Sequence, residues 1–210
     1  MRFFFNPDSP IMQFLSRLAD IMVLNLVFLL SCLPIFTIGA AVTALYDVVF
    51  RLDTSREGKL LATYFRSFRS NFRQASVIWL VLLVFGAATL INMSRLSEIG
   101  GNLGYLLVIA TMLVLVILVM IFSYAFPLLS QFDNSAKGTV KNALLLSVAY
   151  LPRTLLMLVT NCFPWMLMAV NLYTFAELSL LWLFLYFSAV AYFNSRVLNQ
   201  VFKPYWEAGK

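Results

Sequence analysis

Four stretches of this chain run close to or beyond the thickness of a bilayer without a charged side chain, and that limits the fold more than any motif does. A helix that crosses the hydrocarbon core needs about 20 apolar residues. Residues 75–94, 103–129 and 178–195 meet that requirement, and 154–174 is a fourth such stretch, softened by Asn161 and Pro164. Backbone groups in lipid must find partners within their own segment, so these stretches are expected to be helices. The dyad alternation of an outer-membrane strand is absent. Only 11% of the residues are charged and 62% are hydrophobic. A soluble domain carries about 25% charged residues to face water, and this chain has too few to cover a globule.

The first apolar block, residues 21–50, supports two readings. Pro34 lies in its middle and Gly39 follows. Proline removes a donor and clashes with the preceding turn. The block is then either one long kinked helix or a hairpin of two segments, 11–33 and 35–52. The basic residues favour the hairpin, because Lys and Arg concentrate on the cytoplasmic side. Arg51, Arg56, Lys59, Arg66, Arg69 and Arg73 cluster in one connection, Lys137, Lys141 and Arg153 in another, and Arg196, Lys203 and Lys210 in the tail. The connections near Gly100 and Glu177 contain only Arg95 between them. A hairpin leaves Arg95 alone outside, with both termini in the cytoplasm. Five spans with an outward N-terminus is the alternative, which places Arg2 and Arg17 outside as well. No cleavable signal peptide is expected, since the apolar run 3–5 is too short. Ser9 followed by Pro10 reads as a helix cap and first turn.

Two basic amphipathic elements are expected on the cytoplasmic side. Over residues 58–74, Leu61, Tyr64, Phe65, Phe68 and Phe72 recur at spacings of three and four, with Lys59, Arg66, Arg69 and Arg73 on other faces. That pattern predicts a helix lying in the headgroup plane. Anionic lipid attracts each such cation by about 1 kcal/mol. The competing use is a docking surface for a cytoplasmic partner. Residues 136–150 echo the pattern with Lys137 and Lys141 above an apolar stripe of Val140, Leu144, Leu145 and Val148. The two elements hint at an internal repeat of the kind common in transporters. Nucleic acid is not an expected partner, because the phenylalanines of the first element share the side that lipid covers.

Catalytic chemistry has little to work with. The chain has no histidine, its two cysteines, Cys32 and Cys162, lie in apolar segments, and no phosphate-binding glycine loop occurs. No cofactor or metal is expected and the protein is not expected to be an enzyme. The acidic residues fall near span ends, so no coupling charge is expected in mid-membrane. Neutral polar residues do fall inside, and Asn25 and Asn161 are the candidate intramembrane polar sites. Asparagine in a span usually bonds a neighbouring helix. Asn161 differs because Pro164 frees a carbonyl one turn earlier, so the two together could line a polar cavity. Gly39, Ala40, Thr43 and Ala44, and also Gly86 with Ala87, offer small faces for close helix contact.

Several segments together resemble the YesL family. They are Asn6-Pro7-Asp8-Ser9-Pro10, Arg17-Leu18-Ala19-Asp20, Leu33-Pro34-Ile35-Phe36-Thr37-Ile38-Gly39-Ala40, Thr43-Ala44-Leu45-Tyr46, the run from Phe65 to Gln74, Lys141-Asn142-Ala143-Leu144 and Leu151-Pro152-Arg153-Thr154. The resemblance covers nearly the whole chain in order. It implies a small bacterial integral membrane protein without an assigned activity, often encoded beside carbohydrate ABC-transporter components. It implies no catalytic residues.

The sequence thus predicts an all-α polytopic membrane bundle, a single domain over residues 1–210 with five to six hydrophobic segments plus the two basic amphipathic helices. The expected function is an accessory component of a carbohydrate uptake system, in contact with anionic lipid and ABC permease subunits through Lys59, Arg66, Arg69, Arg73, Lys137 and Lys141. A stand-alone permease or channel for a small neutral solute is the alternative, and a homo-oligomer is compatible with either.

Overall fold

The computed structural model describes residues 10–52, 60–96 and 101–208. Within them the chain is helical almost throughout. Helices α1 (Pro10–Cys32), α2 (Ile38–Arg51), α3 (Leu60–Leu96), α4 (Gly101–Gln131), α5 (Ala136–Ala149), α6 (Leu151–Val170), α7 (Leu172–Glu177), α8 (Ser179–Leu181) and α9 (Phe187–Ala208) follow one another. A 3-10 turn at Ile35–Thr37 joins α1 to α2, and a π-helical turn at Trp182–Tyr186 joins α8 to α9. Four stretches are long and apolar enough to cross a membrane: Ile11–Cys32, Leu60–Met93, Gly101–Gln131 and Ser179–Glu207. A fifth is reached if the bent pair of α5 and α6 counts as one span. The molecule is therefore a multi-span membrane protein with four, up to five, spans rather than six. Large apolar side chains coat its outside, among them Val84, Leu103, Leu113 and Leu180, each more than half exposed. On a water-soluble protein such a belt would be an aggregation surface, whereas lipid covers it without cost.

Pro34 breaks the first apolar block as expected, but no hairpin results. Asn25 meets residues 182, 183 and 188, and Phe28 meets Phe187. Past the break, Tyr46 meets Asn194, and Phe50 meets Phe202 and Trp206. Partners advance along the last helix as the residue number rises, so α1 and α2 run in the same direction beside it. They form one broken crossing. The start of α1 and the end of α9 accordingly lie at opposite ends of the bundle, the course of the kinked-helix reading rather than of the hairpin. The hinge is pinned from three sides. The Thr37 hydroxyl lies 2.6 Å from the carbonyls of Ser31 and Pro34, the Trp79 indole donates to the Ile35 carbonyl at 2.7 Å, and Phe36 meets Phe72 edge-on.

Helix α2 is too short to cross a membrane, about 21 Å at 1.5 Å per residue, and it is the core of the molecule. Every residue from Gly39 to Val49 is buried. Its main neighbour is α3, with α4 and α9 on its other sides. Gly39, Ala40, Thr43 and Ala44 form the close face that their size predicts. Gly86 does not share that role: a Cβ added there meets nothing within 4 Å, and Ala87 faces outward. Asp47, buried on α2, accepts from Arg51 Nε at 2.8 Å one turn on.

The two amphipathic elements differ from each other. Residues 60–74 do not form a separate helix in the headgroup plane. They are the first half of α3, which runs 37 residues unbroken into the span. No proline or glycine lies between Phe72 and Val77 to stop it. Tyr64 is fully buried, and Phe68 and Phe72 pack on the core, so much of the apolar face meets protein instead of lipid. By contrast, α5 is a separate helix, bent by 106° from α6. Pro152 forces that corner, because its ring excludes a helical carbonyl one turn earlier. Ser135 caps α5, and the Thr154 hydroxyl ties the corner, 2.7 Å from the Ser147 carbonyl and 2.9 Å from the Tyr124 hydroxyl. A repeated span–basic helix–span unit is therefore not what the two segments make. The Ser9 cap, Lys59, Arg56 and the connection at residues 97–100 fall outside the described residues.

Candidate functional site

Mid-bundle polar residues gather at one place. Asn161 on α6 accepts from Asn194 Nδ2 at 2.9 Å and donates to Ser123 Oγ on α4 at 3.3 Å. Asn194, buried completely, also donates to the Tyr46 hydroxyl of α2 at 3.4 Å. The Thr160 hydroxyl lies 3.1 Å from Asn194 Oδ1. Four helices thus share one hydrogen-bonded cluster. Beside it, Pro164 lacks a backbone N–H and leaves the Thr160 carbonyl unpaired within α6, and the Tyr186 hydroxyl donates to that carbonyl. Asn161 beside Pro164 was legible in the sequence. Asn194 was not, because it sits at the end of the uncharged stretch, directly before Ser195 and Arg196, and reads as a boundary. Tyr46, Ser123 and Tyr186 carried no local signal at all.

Asn25 belongs to a different arrangement. It is completely buried against the π-helical turn. Its Nδ2 lies 3.2 Å from the Trp182 carbonyl and 2.7 Å from that of Leu183, while its Oδ1 accepts from the Ser188 amide at 2.9 Å. A π turn spoils the regular helical ladder, and a side-chain amide supplies both a donor and an acceptor to repair it. Asn25 is therefore a structural clamp between α1 and the last span, and the structure does not bring it together with Asn161.

Beside the Asn161 cluster lies a cavity of about 430 Å³. Its polar rim is Tyr46, Ser123 and Asn161, and its walls include Phe28, Val42, Phe122, Phe175, Trp182 and Phe187. Helix α7 closes one side. The Trp182 indole donates to the Phe175 carbonyl at 3.0 Å, and the two rings stack at 5.6 Å. Tyr186 meets the Trp182 ring edge-on at 4.6 Å. Liners Ser123 and Asn161 fall well inside α4 and α6, and Val190 inside the stretch Ser179–Glu207, so the cavity is set within the bundle.

The basic candidates gather at one end. Arg66, Arg69 and Arg73 on α3 and Lys137 and Lys141 on α5 are all exposed. Gln74 Nε2 donates to the Asn134 carbonyl at 2.6 Å. That bond joins the residue after Arg73 to the loop that precedes α5, so the two basic elements flank one junction. Lys59 lies outside the described residues.

A broken first crossing, a buried short helix and an uncharged polar cluster among four or five spans define the class: a small multi-pass helical membrane protein. The chain belongs to the DUF624 (YesL) family of small bacterial proteins, a family of unknown function, whose model matches residues 21–93. That stretch holds the hinge, α2 and most of α3. The chain is 31% identical over 147 residues to the uncharacterized protein YteU of Bacillus subtilis (strain 168), a match that spans 70% of this chain and 66% of that protein. No solved structure matches the chain.

Proposed function

We propose that the protein is a non-catalytic accessory subunit of a carbohydrate uptake system in the bacterial cell membrane. The observation that carries this reading is the junction of α3 and α5, where Gln74 and Asn134 bring five exposed cations to one end of the bundle. The first part of α3 is an unbroken extension of a span, with Tyr64, Phe68 and Phe72 packed on the core and its arginines outward. A lipid anchor alone does not need that continuity with a span, whereas a docking surface gains by it, because a preformed helix lowers the ordering cost at an interface. The placing of cations also supports one orientation. With α3 and α5 at the cytoplasmic end, the end of α9 faces the cytoplasm too and the start of α1 faces outward.

The rival reading, a passage for a small neutral solute, has less support. The cavity beside Asn161 is walled almost entirely by apolar side chains, and its polar groups are largely occupied with one another.

The test is co-purification from native bacterial membranes in mild detergent through a C-terminal tag. ABC permease or sugar-binding subunits should be recovered in stoichiometric amount. The triple change Arg66→Glu, Arg69→Glu and Arg73→Glu should abolish that recovery while leaving insertion intact. Recovery of the protein alone, or recovery unaffected by the triple change, counts against the reading.

A further inference from the structure

We propose that the mid-bundle cavity is a binding site for a single hydrocarbon-chain amphiphile with an uncharged, hydrogen-bond-accepting head, of the long-chain alkanol or monoacylglycerol type. The cavity, at about 430 Å³, lies within the range of about 300–1,000 Å³ of small-molecule sites. No Asp, Glu, Lys or Arg lines it, so nothing offsets the cost of burying a charged head. Its walls are side chains of Phe, Leu, Ile, Val and Trp, which match an alkyl chain and offer nothing to a carbohydrate. A sugar ring would leave several hydroxyls unpaired, at about 1–3 kcal/mol each.

The head chemistry follows from which hydrogens are free. The Tyr46 hydroxyl accepts from Asn194, so its own proton remains to be donated. One Nδ2 hydrogen of Asn161 goes to Ser123, and the other has no bond among the described residues. Tyr46 and Asn161 both line the cavity. Two donors at one rim select an acceptor: a hydroxyl, carbonyl or ester oxygen. The other wall is closed by the stacked pair of Phe175 and Trp182, which fits the apolar tail. Entry is from the bilayer. Leu29, Cys32 and Val190 are only half-buried and Phe187 is exposed, so the cavity meets the lipid-facing surface between α1 and the last span. The site depends on neither the accessory role nor any partner.

The experiment uses the full chain in phosphatidylcholine nanodiscs with a diazirine-bearing dodecanol as photoprobe, and peptide mass spectrometry to map the labels. Labelling at Leu29, Val42 and Val190 should saturate and fall about tenfold when dodecanol stands at about ten times its Kd. Maltose should not compete. Lipid-facing Val84 and Leu113 should show labelling that neither competitor reduces. Leu29→Phe, which narrows the cavity, should weaken the competed labels at Val42 and Val190, and Asn161→Leu, which removes a head donor together with its bonds to Asn194 and Ser123, should weaken them in protein that still folds. Label at the cavity residues that dodecanol does not reduce overturns the site, and displacement by maltose overturns the ligand class. Should Leu29→Phe fail to fold, the competition in the unaltered protein and Asn161→Leu still decide the matter.

Discussion

Replacing Gly39 by alanine is a sensitive probe of the core, because two effects of known size oppose each other there. Alanine raises helix propensity by about 1 kcal/mol over glycine. Against that, an added Cβ at position 39 would stand 2.7 Å from the Trp79 Cβ and 2.9 Å from the Phe126 Cε1, and nearer still to the Ala75 carbonyl oxygen. Carbon atoms settle at about 3.5–4.0 Å, so α2 would have to move by roughly an ångström from both α3 and α4. The Ala75 oxygen belongs to a helix backbone and cannot rotate away. Overpacking of this kind costs about 1–3 kcal/mol, and the backbone obstacle puts Gly39 at the upper end. The net expectation is a loss of about 2 kcal/mol, or roughly 4–8 °C in Tm at the sensitivity of a chain this size. Gly86→Ala is the internal control, since nothing lies within 4 Å of its added Cβ. It collects the propensity gain alone and should unfold at or slightly above the unaltered protein. Both variants should be followed by intrinsic fluorescence during heating in the same detergent. If Gly39→Ala unfolds at or above the temperature of the unaltered protein, the close packing of α2 on α3 and α4 is wrong.

Asn25→Leu removes every side-chain bond to the π-helical turn and should cost about 2 kcal/mol, taking each intramembrane bond at about 0.6–1.7 kcal/mol; an unchanged Tm would show that the turn repairs itself without Asn25. Tyr186→Phe should destabilise by about 1 kcal/mol while Pro164 is present and by little once Pro164→Ala restores the backbone bond to Thr160. Equal costs in both backgrounds would mean that the hydroxyl does not serve that carbonyl. In a background of Cys32→Ala and Cys162→Ala, a membrane-impermeant maleimide applied to intact cells should label Gln13→Cys and spare Glu207→Cys. Labelling of neither, with both reacting after lysis, would restore the hairpin and the two cytoplasmic termini.

Much of the architecture is legible in the sequence because lipid allows few solutions. An uncharged run of sufficient length must be a helix, and Pro34 and Pro152 mark breaks wherever they fall. Asn161 with Pro164 is legible for the same reason, since a missing N–H creates a demand for a donor nearby. The clustering of small residues at Gly39, Ala40, Thr43 and Ala44 likewise announces a close contact, though the same argument misplaces Gly86.

What the sequence could not supply is direction and partnership. Whether the chain reverses at Pro34 depends on what α1 and α2 meet, and that is written in Asn25, Phe28, Tyr46 and Phe50 only through their separate partners on the last helix. Counting basic residues favoured reversal, because a charge bias averages over loops and cannot see a buried half-length helix. The fate of residues 60–74 was open in the same way: periodicity reports an apolar face, not whether lipid or α2 covers it. The polar cluster needed Tyr46, Ser123, Asn161 and Asn194 to be brought together from four helices, up to 148 residues apart in the chain. Solvent class and helix content are local properties of the amino acids, so the sequence alone determined them. The course of the first crossing, the burial of α2 and the cavity beside Asn161 are products of helix against helix, and only the tertiary structure decided them.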